Sequence, residues 1–561
     1  MTRLDRDDGG KSGRMRIPGL GRIAALAAAA VLALTGLHNS AAAQDGGLVN
    51  ASLARIAGPA AVAAEPPAAM SCPLKYNLPG DVDVTLPIDN SHGAFDEYSW
   101  QTFLALSAPG VGKRVSLTGD NKTQWRKWSS TVDVIQCARD PQSCVCRSGN
   151  CMAYGARYYP EECTAVRGYK RYRVLDQLSK IDDSFLQAGH GALSNSPLVD
   201  ANGNFVRYEI LVSPVAHSYV TKNQYYDASV LDGLTKDLKF PCGRESYTGG
   251  KPTSRRSGSY IVKNAWMQLP NDARGIGFYD PDLVKQFHTE ELLVYTPAYR
   301  NKSGVATCEK RLMALVGQHI AHKTVKQPKW TWSTFEHANN APNCKGLPPA
   351  GNQDGSGPNT SCPASVKKDY NFYPQECSAD GSDPDACQTC NATPVSNRKG
   401  CKNPSVKGDT SWCLDKPPAK VAGTSMLCRQ VKVSKYYETA HLMNNACAAS
   451  LGNKSVWSNY HLIGTQWYNE ASTSCSTDNK VTRSLEKPQV PVPGAGGKTV
   501  PYLANTSMES DVRSNCMGCH ADAVVGTKSV STDFMYWIQL EAGSTESAAA
   551  AMAELLARSP H

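Results

Sequence analysis

The chain has 561 residues, 59 basic and 50 acidic side chains, 41% hydrophobic residues and 20 cysteines. That balance excludes a disordered or collagen-like chain, and the length predicts more than one packed unit. So many cysteines argue against a reducing compartment. The formal net charge of +9 is mild, and no Lys/Arg cluster interleaved with aromatics points to nucleic acid.

Residues 1–43 read as an export signal. Arg3, Arg6, Lys11, Arg14, Arg16 and Arg22 form a basic head, Ile23 to Leu37 an apolar run, and Ala41-Ala42-Ala43 a small-residue cleavage site. The run is shorter than the roughly 20 residues a membrane-spanning helix needs, so no integral membrane segment is expected after cleavage. A periplasmic or secreted location follows. Removing six positive and three negative charges takes the net charge from +9 to +6.

Residues 44–71 are rich in Ala, Pro and Gly and read as a flexible lead-in. A main domain is expected over 72–343. Phe95 to Leu104 has helical spacing, while Asn204 to Val215 and Ser259 to Leu269 are β-branched and aromatic and predict strands. Lys329 to His337 (KWTWSTFEH) also reads as a strand, with Trp330, Trp332, Thr334 and Glu336 on one face and Phe335 and His337 on the other. Residues 344–428 carry eight cysteines amid Gly, Pro, Asp, Asn and Ser. Such a stretch buries little apolar surface and predicts a disulfide-stapled insertion. The main domain resumes over 429–486, with Ser434 to Asn453 helical, followed by a Pro/Gly linker over 487–501. Strands and helices alternate without a βαβ rhythm, so the fold class expected is α+β.

The most specific motif lies in the last segment, 502–561. Cys516-Met517-Gly518-Cys519-His520 has the Cys-x-x-Cys-His spacing of covalent c-type haem attachment. Two thiols three residues apart can each form a thioether to a haem vinyl group, and the adjacent histidine can bind iron as proximal ligand. A zinc site would need a second ligand pair, yet no cysteine follows Cys519. A thioredoxin-like redox pair would need an apolar strand ahead of it, where a Pro/Gly linker and a polar segment stand instead. Cys387-Gln388-Thr389-Cys390 is followed by Asn391 and lacks an iron ligand, so one haem c per chain is expected. The other 18 cysteines are then an even number, compatible with disulfides. Gly494 to Thr499 and Asp380 to Asp385 mimic phosphate and calcium loops but lack their key residues.

Only 41 residues follow His520, so the haem pocket is expected to be completed by upstream residues of the main domain. The distal iron ligand is not readable. Met535, Met552, Met508 and His441 are weak candidates beside His461, His319, His322 and His337, each of which has an ordinary core or polar role as its alternative. The Trp330/Trp332/Glu336 face could relay electrons or protons, or could simply pack as a Trp-rich sheet.

With the export signal, the Cys516–His520 motif resembles bacterial c-type cytochromes. Trp330 to His337 and Leu503-Ala504-Asn505-Thr506 resemble patches of large single-haem exported proteins of proteobacteria whose role is unknown. The resemblance implies thioether roles for Cys516 and Cys519 and a proximal role for His520. The expectation is therefore a large, mixed, disulfide-rich main domain carrying a short, mostly helical C-terminal haem segment. Electron transfer to a redox partner protein is the function this implies. A haem enzyme of peroxidase or oxygenase type, with an open sixth iron position, is the first alternative. A binding module whose haem is structural or sensing is the second.

Overall fold

The computed structural model describes residues 70–83, 92–110, 113–115, 123–175, 198–248, 251–301, 303–344, 366, 370–373, 426–429, 438–453, 455–467, 475, 503, 505–508, 516–520, 523–526 and 528–542. The chain divides into Met1–Pro66, which lies outside the described residues, and Pro67–His561.

The second unit is built on one eight-stranded sheet. Its strands are β1 (Ser129–Ser130), β2 (Val174–Leu175), β3 (Arg207–Val212), β4 (Tyr260–Gln268), β5 (Thr289–Thr296), β6 (Thr307–His322), β7 (Thr331–His337) and β8 (Tyr460–Gln466). They run in the order β1-β3-β4-β6-β7-β8. The first half of β6 also pairs with β5, and β5 pairs in parallel with β2, the one parallel ladder in an otherwise antiparallel sheet. The strand expected across Asn204 to Val215 is shorter than its apolar run. Pro214 has no N–H for a ladder, and Ser213 caps a helix from there to Lys222 by accepting the Ala216 N–H.

β6 is 16 residues long, so one edge pairs with β5 and then β7 while the other pairs with β4 across a register change between Leu315 and Gly317. A helix over His92–Ser107, α1, covers one face around the expected Phe95 to Leu104 core. Phe103 stacks on Phe335 of β7 at 4.2 Å, Trp100 meets the same ring edge-on at 5.3 Å, and the Trp100 indole donates to Asn444 at 2.9 Å. Asn444 belongs to a second helix, α2 (Glu438–Leu451), the one expected over Ser434 to Asn453. The fold is mixed helix and sheet. Among the described residues no helix is long and apolar enough to cross a membrane.

Six disulfides hold the described residues: Cys72–Cys447, Cys137–Cys144, Cys146–Cys151, Cys163–Cys308, Cys242–Cys475 and Cys344–Cys428. Cys344–Cys428 closes the insertion at its base, and the six cysteines between them lie outside the described residues. Cys137–Cys144 and Cys146–Cys151 are local pairs, whereas Cys163 reaches Cys308 on β6.

The described part of the C-terminal segment is mixed, and the rest of the expected mostly helical segment, including residues 543–561, lies outside the described residues. The described part holds a single helical turn at Cys516–His520, a two-stranded hairpin (Val524–Val525 with Val530–Ser531) and a turn of π-helix at Ile538–Ala542. Met517, Val525, Phe534, Met535, Trp537 and Ile538 share a buried cluster with Trp330, Trp332 and Phe240 of the main domain. The described part of the segment therefore packs into the main domain.

Candidate functional site

The Cys516–His520 turn places positions 516, 519 and 520 on one helical face, because residues three and four apart lie one above the other. Two neighbouring strands bracket it. Trp332 of β7 and Gln466 of β8 are directly opposite in the register. The Gln466 side-chain oxygen accepts the Cys516 N–H at 2.9 Å, one of the orphan donors of a helix start, and the Trp332 ring lies 4.6 Å from the His520 ring. The register pair thus contacts both ends of the motif. Met517, 3% exposed, is the plug that holds the turn down.

His520 is fixed from a second direction. Its Nδ1 donates to the Phe534 carbonyl at 2.7 Å, which leaves Nε2 as the unprotonated nitrogen of the neutral ring. Tethering one ring nitrogen to a carbonyl sets the orientation of a metal-binding histidine and raises the basicity of the other. Tyr536 meets the same ring edge-on at 5.4 Å.

The loop that supplies this carbonyl is held in an unusual backbone conformation. Asp533 and Phe534 have φ of 57° and 72° in succession, and Trp330 has φ of 70°. Single residues of these types cost roughly 1–2 kcal/mol each in the left-handed region. The conformation is held by a buried ion pair between Lys323, next to the end of β6, and Asp533, both side chains fully inaccessible. Asp533 Oδ2 also accepts the Phe240 N–H at 2.7 Å, and the Asp533 carbonyl accepts the Trp330 indole N–H at 3.0 Å. Burial pushes the Asp533 carboxyl up and the Lys323 amine down, and each partner's charge opposes the push on the other. Trp330 is thus a loop residue preceding β7 and not a strand residue, which corrects the expectation. Its indole still lies 6.5 Å from that of Trp332.

Two sequence patches far apart in the chain meet here. Asn505 donates to the Thr334 hydroxyl at 2.9 Å and the Phe335 carbonyl at 2.7 Å, while the Thr506 N–H and hydroxyl both donate to Glu336 Oε2 at 2.8 and 2.7 Å. Arg429 takes the other Glu336 oxygen at 2.6 Å. Both oxygens of Glu336 are therefore engaged in anchoring. The 505–508 segment crosses the sheet over Gly317, where a Cβ would collide with Ser507 Oγ and lie 3.2 Å from Asn505 Oδ1.

The weak distal candidates separate. Met535 is 2% exposed, packs in the buried cluster with Trp332 and Phe534, and directly follows the residue whose carbonyl holds His520 Nδ1. Met508 lies in a different core cluster with Tyr208 and Phe372. His441 is on α2, 3.2 Å from Asn445, and shares its electrostatic surroundings with His461. His461 pairs with Glu336, four residues and about 13 Å along the strand from Trp332. Burial lowers its pKa to about 4, aided by Arg429. His322 and His337 are buried in other contacts, with the Tyr260 and Phe287 rings at 3.6 and 4.1 Å. Met552 and the side chain of Cys519 lie outside the described residues.

A bare metal ion would need several protein donors. Among the described residues no group of three or more His, Cys, Asp and Glu side chains is gathered for one. Haem asks less of the protein: one oriented histidine, nearby thiols and a largely apolar wall. His520, half-buried Cys516 and the cluster of Trp332, Met517 and Phe534 fit that requirement. Gln466, Lys323 and the Phe534 carbonyl were not visible as site residues in the sequence, because their roles depend on cross-strand register and on a loop folding back. No protein-family model, curated protein or solved structure matches the chain.

Proposed function

We propose that the chain is an exported monohaem c-type cytochrome whose role is electron transfer to a partner redox protein. The observation that carries this reading is the Cys-x-x-Cys-His motif folded as one helical turn, with His520 Nδ1 tied to the Phe534 carbonyl. In this reading Cys516 and Cys519 hold haem by thioethers, and His520 Nε2 is the proximal ligand. The bound group supplies a one-electron iron couple. The protein's part is to hold the imidazole in one tautomer and to keep water from that side with Trp332, Phe534 and Met535, which are 7%, 2% and 2% exposed. A periplasmic or secreted location is supported by the six disulfides and by the N-terminal apolar run.

The test is the optical spectrum of protein matured in a periplasm, oxidised and reduced, with and without cyanide or carbon monoxide. One covalent haem per chain, low-spin and unresponsive to either ligand, is the expected result. A high-spin spectrum that shifts on ligand addition would replace electron transfer by the enzyme reading. Covalent haem that persists in Cys516→Ser/Cys519→Ser, or no covalent haem in the natural chain, would overturn the attachment site itself.

A further inference from the structure

A cleft of about 500 Å³ opens beside the β2–β5 ladder. This volume is within the range of small-molecule sites. One wall is the short hairpin pairing Cys144–Val145 with Arg157–Tyr158, clamped by Cys137–Cys144 and Cys146–Cys151. The opposite wall is the turn Tyr169–Arg171, tied to β6 through the nearby Cys163–Cys308 bond. Between them, the Tyr159 hydroxyl donates to the Tyr172 carbonyl at 3.0 Å. Walls stapled in this way lose little entropy when a ligand arrives.

The charge of the lining is unbalanced. Its two carboxylates are already engaged. Glu290, 1% exposed, binds Arg173 at 2.8 Å and His288 at 3.1 Å, and Glu291 pairs with Lys310 at 2.7 Å. Burial alone would raise the pKa of Glu290, but the Arg173 charge and the hydrogen bonds from His288 and Arg173 outweigh it and draw the pKa down to about 2. Behind the wall, Asp133 accepts from Arg157 at 2.8 Å and from the Tyr158 N–H at 2.9 Å. Arg173 itself is 5% exposed and saturated by Glu209 and Glu290. Arg126 also reaches Glu290, at 3.8 Å, and what remains on the lining is Lys127, Arg147, Lys170 and Arg171. Among the described residues none of these four is within an ion-pair distance of a carboxylate. Four like charges around one cleft repel each other unless an anion is shared between them. Two of the four are arginines, whose planar fork suits oxyanions, and Tyr154 adds an aromatic surface to the lining.

We propose that this cleft is a binding site for a small polyanion, a molecule bearing two or more phosphate or carboxylate groups. The proposal is independent of the haem reading.

The experiment uses the full matured chain in isothermal titration calorimetry at 0.15 M salt, with inorganic pyrophosphate and citrate as separate probes. Saturable one-to-one binding of at least one probe is expected, and the tighter probe distinguishes phosphate from carboxylate chemistry. Arg147→Ser/Arg171→Ser and Lys127→Ser/Lys170→Ser should each weaken it at least tenfold. Arg274→Ser, which removes an exposed arginine paired with Asp272 elsewhere, should leave it unchanged. Near-ultraviolet circular dichroism identical to that of the natural chain establishes that the variants fold. No saturation with either probe overturns the proposal. So does equal affinity in the cleft variants, or an equal loss in Arg274→Ser.

Discussion

Replacing Lys323 by Met tests the link between a buried charge and the geometry of the haem motif. The substitution keeps most of the side chain's length and removes its ammonium, leaving the Asp533 carboxylate to neutral donors, the Phe240 N–H and the Trp330 indole. Breaking a buried ion pair from one side costs about 3–5 kcal/mol, because the surviving charge is stranded away from water. Lys323→Met should therefore destabilise the chain by about that amount. The loop would then relax from its two consecutive left-handed residues, and the Phe534 carbonyl would leave His520. Lys323→Met/Asp533→Asn should recover most of the loss, to within about 1–2 kcal/mol of the natural chain. The asparagine tolerates positive φ and still accepts from Phe240, and no charge is left behind. Urea unfolding with the disulfides intact, followed by tryptophan fluorescence and far-ultraviolet circular dichroism, measures both. A cost below about 1 kcal/mol in Lys323→Met, or single-variant costs that simply add in the double variant, would refute this account of the loop.

Gly317→Ala should cost about 1–3 kcal/mol, since the new methyl collides with Ser507 Oγ where the 505–508 segment crosses the sheet. Thermal unfolding would register the loss, and Ser507→Ala in the same chain should return part of it. His322 is buried with its Nε2 donating to the Ser257 carbonyl at 2.6 Å, and burial lowers its pKa to about 3. The unfolded chain, with an ordinary histidine pKa near 6.5, therefore binds this proton while the folded chain does not. Stability from this residue is complete above about pH 6.5 and is lost as the pH falls from there toward 3. Between pH 7 and 4.5 the natural chain should lose roughly 2–3 kcal/mol more than His322→Gln in urea titrations at the two pH values. Equal losses would show that the buried ring is not held neutral.

How far the sequence reaches can be judged at particular residues. Phe95 to Leu104 and Ser434 to Asn453 were legible as helices, and Ser259 to Leu269 as a strand, because periodicity is a local property of the chain. The Trp332/Thr334/Glu336 face was legible for the same reason, and it is the face that receives His520, Asn505 and Thr506. Trp330 was misplaced because a positive φ leaves no mark in hydrophobic spacing. The partner of Cys163 was not readable, since it lies 145 residues away and is chosen by the approach of a turn to β6.

By itself the sequence determined the chemistry on offer: a Cys-x-x-Cys-His motif, cysteines in excess of a reduced protein, and apolar patterns for a mixed sheet and helices. Only the tertiary structure decided how that motif is held. The Trp332–Gln466 register pair contacts both its ends, the Lys323–Asp533 pair turns the Phe534 carbonyl toward His520, and Gly317 lets the 505–508 strap cross the sheet. These are contacts between residues tens to hundreds of positions apart. Their energies depend on burial and distance, which no local pattern in the chain encodes.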